Sequence, residues 1–178
     1  MDEVYPVKLF AAILFSSAED LKAGIARLEA SFGPTDYISP ETPFDVTDYY
    51  AEELGTPIYR ALVSFQNAVM PSFLPDIKLK TISIEDAMRK ENKRTINVDS
   101  GYMDFDKVVL ASTKKGPYKI YMSRGIWADM TLHYEKGNFL PFAWTFADFK
   151  DGRYNKYLLR IRELFKKASH NTAPQSNQ

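Results

Sequence analysis

Nine consecutive residues, Val7-Lys8-Leu9-Phe10-Ala11-Ala12-Ile13-Leu14-Phe15, hold a single lysine among otherwise apolar side chains. A strand sends successive side chains to opposite faces, so this run suits a strand covered on both sides. It is too short for a bilayer-spanning helix, which needs about 20 apolar residues, and the opening Met1-Asp2-Glu3 lacks the basic start of a secretory signal. The run is therefore expected to be the buried strand of a soluble protein. A helix should follow at once: Ser16 and Glu19 have capping-box spacing, Leu21, Ile25, Leu28 and Phe32 form a stripe, and Gly33-Pro34 is a stop.

Beyond this strand-helix unit, Thr35 to Ser39 reads as a return strand, and Phe44 to Gly55 as loop with a short helical turn. Ile58 to Phe65 reads as a strand closed by Gln66-Asn67. Pro71 to Lys90 mixes partial alternation with helix-start prolines and is read as helix. A short strand at Thr95 to Val98 should precede a meander of Lys107 to Thr113, Tyr118 to Met122, Ile126 to Tyr134 and Asn138 to Phe142, joined by glycine turns. The stripe Tyr154, Tyr157, Leu158, Ile161, Leu164, Phe165 and Ala168 marks a last amphipathic helix. The expected fold class is α+β: ferredoxin-like βαβ units extended by an antiparallel β-meander and closed by that C-terminal helix. Residues 1–168 are expected to form one domain and 169–178 a disordered tail.

Composition excludes several chemistries. The chain has no cysteine, so disulfides, thiol nucleophiles and thiolate zinc sites are ruled out, which suits a cytoplasmic setting. Its 23 basic and 23 acidic residues cancel, giving no global field for nucleic acid or an anionic membrane. With only His133 and His170, a multi-histidine metal centre cannot form in one chain. A divalent cation such as magnesium would need oxygen ligands. There is no P-loop, no Gly-x-Gly-x-x-Gly, no Gly-x-Ser-x-Gly elbow and no His-Glu-x-x-His.

The candidate chemistry lies mainly between Thr95 and Lys150. Strict alternation along Ile126 to Tyr134 places Trp127, Asp129, Thr131 and His133 on one face, either a solvated surface or the floor of a polar pocket. Asn97 and Asp99 share an orientation at a strand end before an expected turn at Gly101-Tyr102, where they could converge on a ligand or cap the turn. Lys114 leaves its strand where it could neutralise a phosphate or carboxylate, or lie solvated at an edge. Trp144, Thr145 and Asp148 precede the last helix, with Asp148 a ligand or a cap. Asp48 and Tyr49 join an acidic, tyrosine-rich loop.

Taken together, Thr47-Asp48-Tyr49-Tyr50 with Glu53 and Gly55, Asn97-x-Asp99-x-Gly101-Tyr102, Val109-Leu110-Ala111 with Thr113-Lys114, Ile120-Tyr121 with Gly125-Ile126, Thr131-Leu132, and Trp144-Thr145 with Asp148 resemble a bacterial family of unknown function, number 4416. The resemblance runs over residues 7–165. It departs at Ser100 and Ala147, where the family tends to have proline, and at Asp129, where glutamate is common. Members are sometimes labelled GTP-binding, a label the missing P-loop does not support here. The resemblance implies a shared fold and a shared site without naming a reaction.

The expectation is a small anionic ligand, nucleotide-like or phosphate-bearing, held or processed in a metal-assisted hydrolase or transferase. Asp99, Lys114 and Asp129 would act as catalytic groups, with Asp48, Tyr49, Asn97, Tyr102, Thr131, Trp144, Thr145 and Asp148 as ligand-binding groups. The alternative is a noncatalytic protein-interaction module built on exposed Trp127, Trp144 and Tyr102. Neither reading includes nucleic acid or a membrane as partner, and the oligomeric state is left open.

Overall fold

The computed structural model describes residues 2–172. In chain order the elements are β1 (Val7–Phe15), α1 (Ala18–Phe32), β2 (Thr35–Ile38), β3 (Thr42–Pro43), α2 (Ala51–Leu54), β4 (Tyr59–Val69), α3 (Leu74–Ala87), β5 (Ile96–Met103), β6 (Lys107–Ser112), β7 (Lys119–Ser123), β8 (Ile126–Glu135), β9 (Asn138–Pro141), α4 (Ala147–Lys150) and α5 (Asn155–Thr172). The strands form one nine-stranded sheet of order β2-β4-β1-β5-β6-β8-β7, with β3 beside β4 and β9 beside β8. Every described pairing between these strands is antiparallel.

β1 lies between β4 and β5 and is buried along its whole length. Its alternate residues feed two cores. Leu9, Ala11, Ile13 and Phe15 pack with Leu21 and Leu28 of α1 and Ile77 and Ile84 of α3. Phe10 and Ala12 pack on the other face with Tyr157, Leu158 and Ile161 of α5. That two-sided cover explains why the run has almost no polar residue. α1 starts one residue later than the capping-box spacing predicts, because Ser17 is the residue whose hydroxyl accepts from Asp20 N at 3.3 Å. Ser16 Oγ instead donates to Leu54 O, tying β1 to α2.

Three further expectations are corrected. β5 runs on through Gly101 to Met103, so Gly101 is a strand residue rather than a turn. The expected meander is not sequential: β6 skips β7 and pairs with β8, whose other edge is shared by β7 and β9. Strict alternation along β8 also fails. Val108 pairs with Leu132 but Val109 pairs with Met130, which leaves Thr131 as an extra residue. Consequently Leu132 joins the same core as Leu110, the cross-strand partner of Asp129, and His133 turns to the opposite face. α5 includes residues 169–172 of the expected tail, and 173–178 lie outside the described residues. Among the described residues, no helix is long and apolar enough to cross a membrane.

Candidate functional site

The site begins with a failure of strand pairing. β5 pairs with β1 from Ile96 to Met103, yet it meets β6 only through Gly101, Tyr102 and Met103. At Gly101 the two strands cross so closely that a Cβ would lie 2.3 Å from Val109 O, so a side chain there would force them apart. Beyond this contact the sheet splits, and among the described residues the backbone of Val98 has no strand partner on that side. α3 supplies one: Lys78 Nζ donates to Val98 O at 2.7 Å, and Val98 N donates to Glu85 Oε1. Thr81 and Ser100 hydroxyls meet beside them at 3.3 Å.

The split opens into a cleft of about 820 Å³. Its walls come from the loop around α2, from β4 and β5, from α3, from the β6–β7 connection and from the segment around α4. A chain of polar contacts crosses it. Arg94 grips both oxygens of Glu53 at 2.8 and 2.7 Å and donates to Asn97 Oδ1 at 2.9 Å. Asn97 Nδ2 donates to Asp99 Oδ1 at 3.1 Å, and Asp99 Oδ2 accepts from Arg60 Nη1 at 3.0 Å. Arg60, only 4% exposed, lies between the rings of Phe44 and Phe149, 5.2 and 5.3 Å from their centroids. Its Nε is 3.1 Å from Asp148 Oδ2 but too poorly aligned to make a hydrogen bond.

Electrostatics follow from this burial. Desolvation pulls the Arg60 guanidinium down, but Asp99 and then Asp148 outweigh it and raise its pKa. Burial raises the Glu85 carboxyl despite Lys78 nearby. The Arg94 hydrogen bonds hold the Glu53 carboxyl below its ordinary value. Burial, followed by the Asp99 charge, pushes the Tyr50 phenol up to about 12, so it remains a hydrogen-bond donor at neutral pH. At the mouth, Lys119 Nζ donates to Ser112 Oγ at 2.9 Å and lies 3.3 Å from Asp129 Oδ2. Lys114 Nζ sits over the exposed Tyr49 ring, 4.8 Å from its centroid.

With this geometry in view, the family assignment is direct: the model of a domain of unknown function, DUF4416, matches residues 5–165. The chain belongs to that family. No curated protein and no solved structure matches it.

Within this DUF4416 chain, Asp99, Lys114, Asp129, Tyr49, Asn97 and Asp148 all line the cleft. The other sequence candidates lie elsewhere. Asp48 is exposed, and its carbonyl accepts from Ala51 N as α2 begins. Tyr102 packs on the opposite face against Leu74, Val109 and Ile126. Thr131, Trp144 and Thr145 repair a gap between β7 and β9 along the edge of β8: Trp144 Nε1 donates to Met130 O at 3.0 Å, and Thr145 Oγ1 to Thr131 O at 2.5 Å. Asn97 and Asp99 bond to arginines and to each other rather than cap a turn.

Sequence reading overlooked Arg60, Lys78, Glu85, Arg94 and Lys119. Two signals mark some of them: Arg60 opens the largely apolar run Arg60-Ala61-Leu62-Val63, and Lys78, Thr81 and Glu85 fall at helical spacing on the buried stripe of α3. As for metal, no group of three or more His, Asp or Glu converges among the described residues. Asp99 and Asp148 do converge, but on Arg60.

Proposed function

We propose that the cleft binds a small anionic, acceptor-rich ligand. One observation carries this reading: every carboxylate on the cleft wall is ion-paired, whereas among the described residues Lys78 and Lys114 have no carboxylate within ion-pair distance. Arg60 serves Asp99 and Asp148, Arg94 serves Glu53 and Glu85, Arg89 serves Asp86 and Lys119 serves Asp129. The remaining hydrogen-bonding capacity is therefore rich in donors, and ammonium and phenol donors select carboxylate or phosphate oxygens. A metal-assisted hydrolase or transferase step would require Asp99 and Asp148 to exchange Arg60 for a divalent cation, so binding is supported better than that chemistry. The order β2-β4-β1-β5 supports a ferredoxin-like reading of the N-terminal half, with the cleft beside its last strand.

Calorimetry and thermal shift of the purified protein against phosphate esters and carboxylates, with and without magnesium, test the proposal. A saturable rise in Tm is expected for anions in metal-free buffer. Anions that bind only with magnesium would shift the balance to the metal-assisted reading, and no response with any anion would refute both.

The interaction-module reading keeps one observation in its favour. Tyr118, Ile120, Tyr121 and Met122 are exposed at or beside the edge strand β7, where a sheet can accept another strand. The aromatics expected to form that surface are less open: Trp127 packs edge-on with Tyr121, and Trp144 is stacked between Tyr118 and Phe142.

A further inference from the structure

The anion-binding reading leaves open where in the cleft a ligand would be anchored, and Lys114 at the mouth is the obvious candidate. The floor offers a better one. Lys78 is 7% exposed, lines the cleft, and gives its ammonium one hydrogen bond, to the neutral carbonyl of Val98. An ammonium carries three donors, and among the described residues one acceptor, Val98 O, engages it. Removing an ammonium from water costs several kcal/mol unless charge and hydrogen bonds compensate, and here one peptide oxygen is the compensation in direct contact.

Resting on the anion-binding reading, we infer that Lys78 is the direct anchor for the ligand's terminal oxyanion, and that the split between β5 and β6 is the subsite that receives it. Several features favour this position over the mouth. Lys78 is held at both ends, by the buried stripe of α3 and by Val98 O, so little rotamer freedom remains to be lost on binding. Lys114 is exposed and held chiefly over the ring of Tyr49, with its Nζ 3.4 Å from the Tyr49 hydroxyl. A charge-assisted bond on the floor is also less screened by solvent and salt than one at the mouth. The group recognised is a compact oxyanion, either the end of a phosphate ester or a carboxylate. Lys114 then contributes attraction over distance rather than contact.

The test is calorimetric binding of inorganic phosphate, phenyl phosphate and benzoate to the full chain and to Lys78→Met, Lys78→Gln and Lys114→Ala. Far-ultraviolet circular dichroism reports folding of each variant. Lys78→Gln retains a donor for Val98 O and guards against loss of the fold in Lys78→Met. The expected result is at least about tenfold weaker binding in both Lys78 variants, with Lys114→Ala within about threefold of wild type. The preferred probe identifies phosphate or carboxylate as the anchored group. Wild-type affinity in a folded Lys78 variant, with loss in Lys114→Ala, would overturn the inference and leave the anion-binding reading standing. Failure of every probe to bind the wild type would overturn that reading itself.

Discussion

Two lysines of this chain are almost equally buried, Lys8 at 2% and Lys78 at 7% exposure, and both occur where the sheet's pairing breaks down. Lys8 sits where the β1–β4 register shifts, and donates to Phe65 O at 2.6 Å. Lys78 reaches the split between β5 and β6 and donates to Val98 O at 2.7 Å. In each case a long cationic side chain donates to a backbone carbonyl beside the break in the ladder. The difference lies in the counter-charge. Lys8 is paired with Asp36, itself held by Ser64 Oγ at 2.6 Å, whereas among the described residues Lys78 has no carboxylate in contact, and it lines a cleft. Similar burial thus gives a strap at one place and an open cation at the other.

The largest expected effect separates these roles. Lys8→Met leaves Asp36 without its partner and should cost about 3 kcal/mol or more in urea unfolding. Lys78→Met removes one bond to a neutral carbonyl and should cost about 1–2 kcal/mol. Equal losses would break the contrast, because they would assign Lys78 the same structural work as Lys8. A third pairing defect, the gap between β7 and β9, sharpens the point. Thr145→Val strands Thr131 O and should cost about 1–2 kcal/mol with anion binding unchanged, since Thr145 lies outside the cleft.

How far the sequence anticipates all this depends on whether a feature is local. β1 is legible because a two-sided core demands a continuous apolar run, and α1 because its stripe and stop are local. The polar half of the molecule is harder. Thr131 reads as one more alternating residue because a bulge is fixed by the partner strand, which its own segment does not reveal. Gly101 reads as a turn because the crossing that demands glycine is made with Val109, beyond the next hairpin. Asp99, Lys114, Asp129 and Asp148 are visible as chemical groups, but only the split sheet brings them into one cleft. Lys78 does not stand out in the sequence, because a lysine in a helix normally lies on a solvated face.

The wall formed around α2 offers a smaller test. Glu53 fixes the loop around α2 through its two bonds to Arg94, so Glu53→Gln should cost about 1 kcal/mol and loosen that wall. The carboxyl's folded-state pKa is depressed by the Arg94 hydrogen bonds. Its stabilising contribution is therefore present above the ordinary glutamate value and is lost as pH falls through the depressed one. The stability gap between wild type and Glu53→Gln should narrow in acid; a constant gap would mean that the pairing is not what fixes the loop.

The smallest effect at neutral pH should come from Glu85, and its sign is opposite. An amide oxygen at this position can still accept from Val98 N, so Glu85→Gln should change stability by less than about 1 kcal/mol near neutrality. Burial raises the carboxyl's folded-state pKa, against the pull of Lys78 and Arg94. The folded protein thus binds this proton more readily than the unfolded chain does. Wild-type stability should fall as pH rises from the ordinary glutamate value through the raised one, and Glu85→Gln should remove that component of the slope. Urea melts of both proteins between acid and neutral pH measure it. Parallel curves would show that Glu85 has the same proton affinity folded and unfolded, so that burial leaves no mark on this carboxyl.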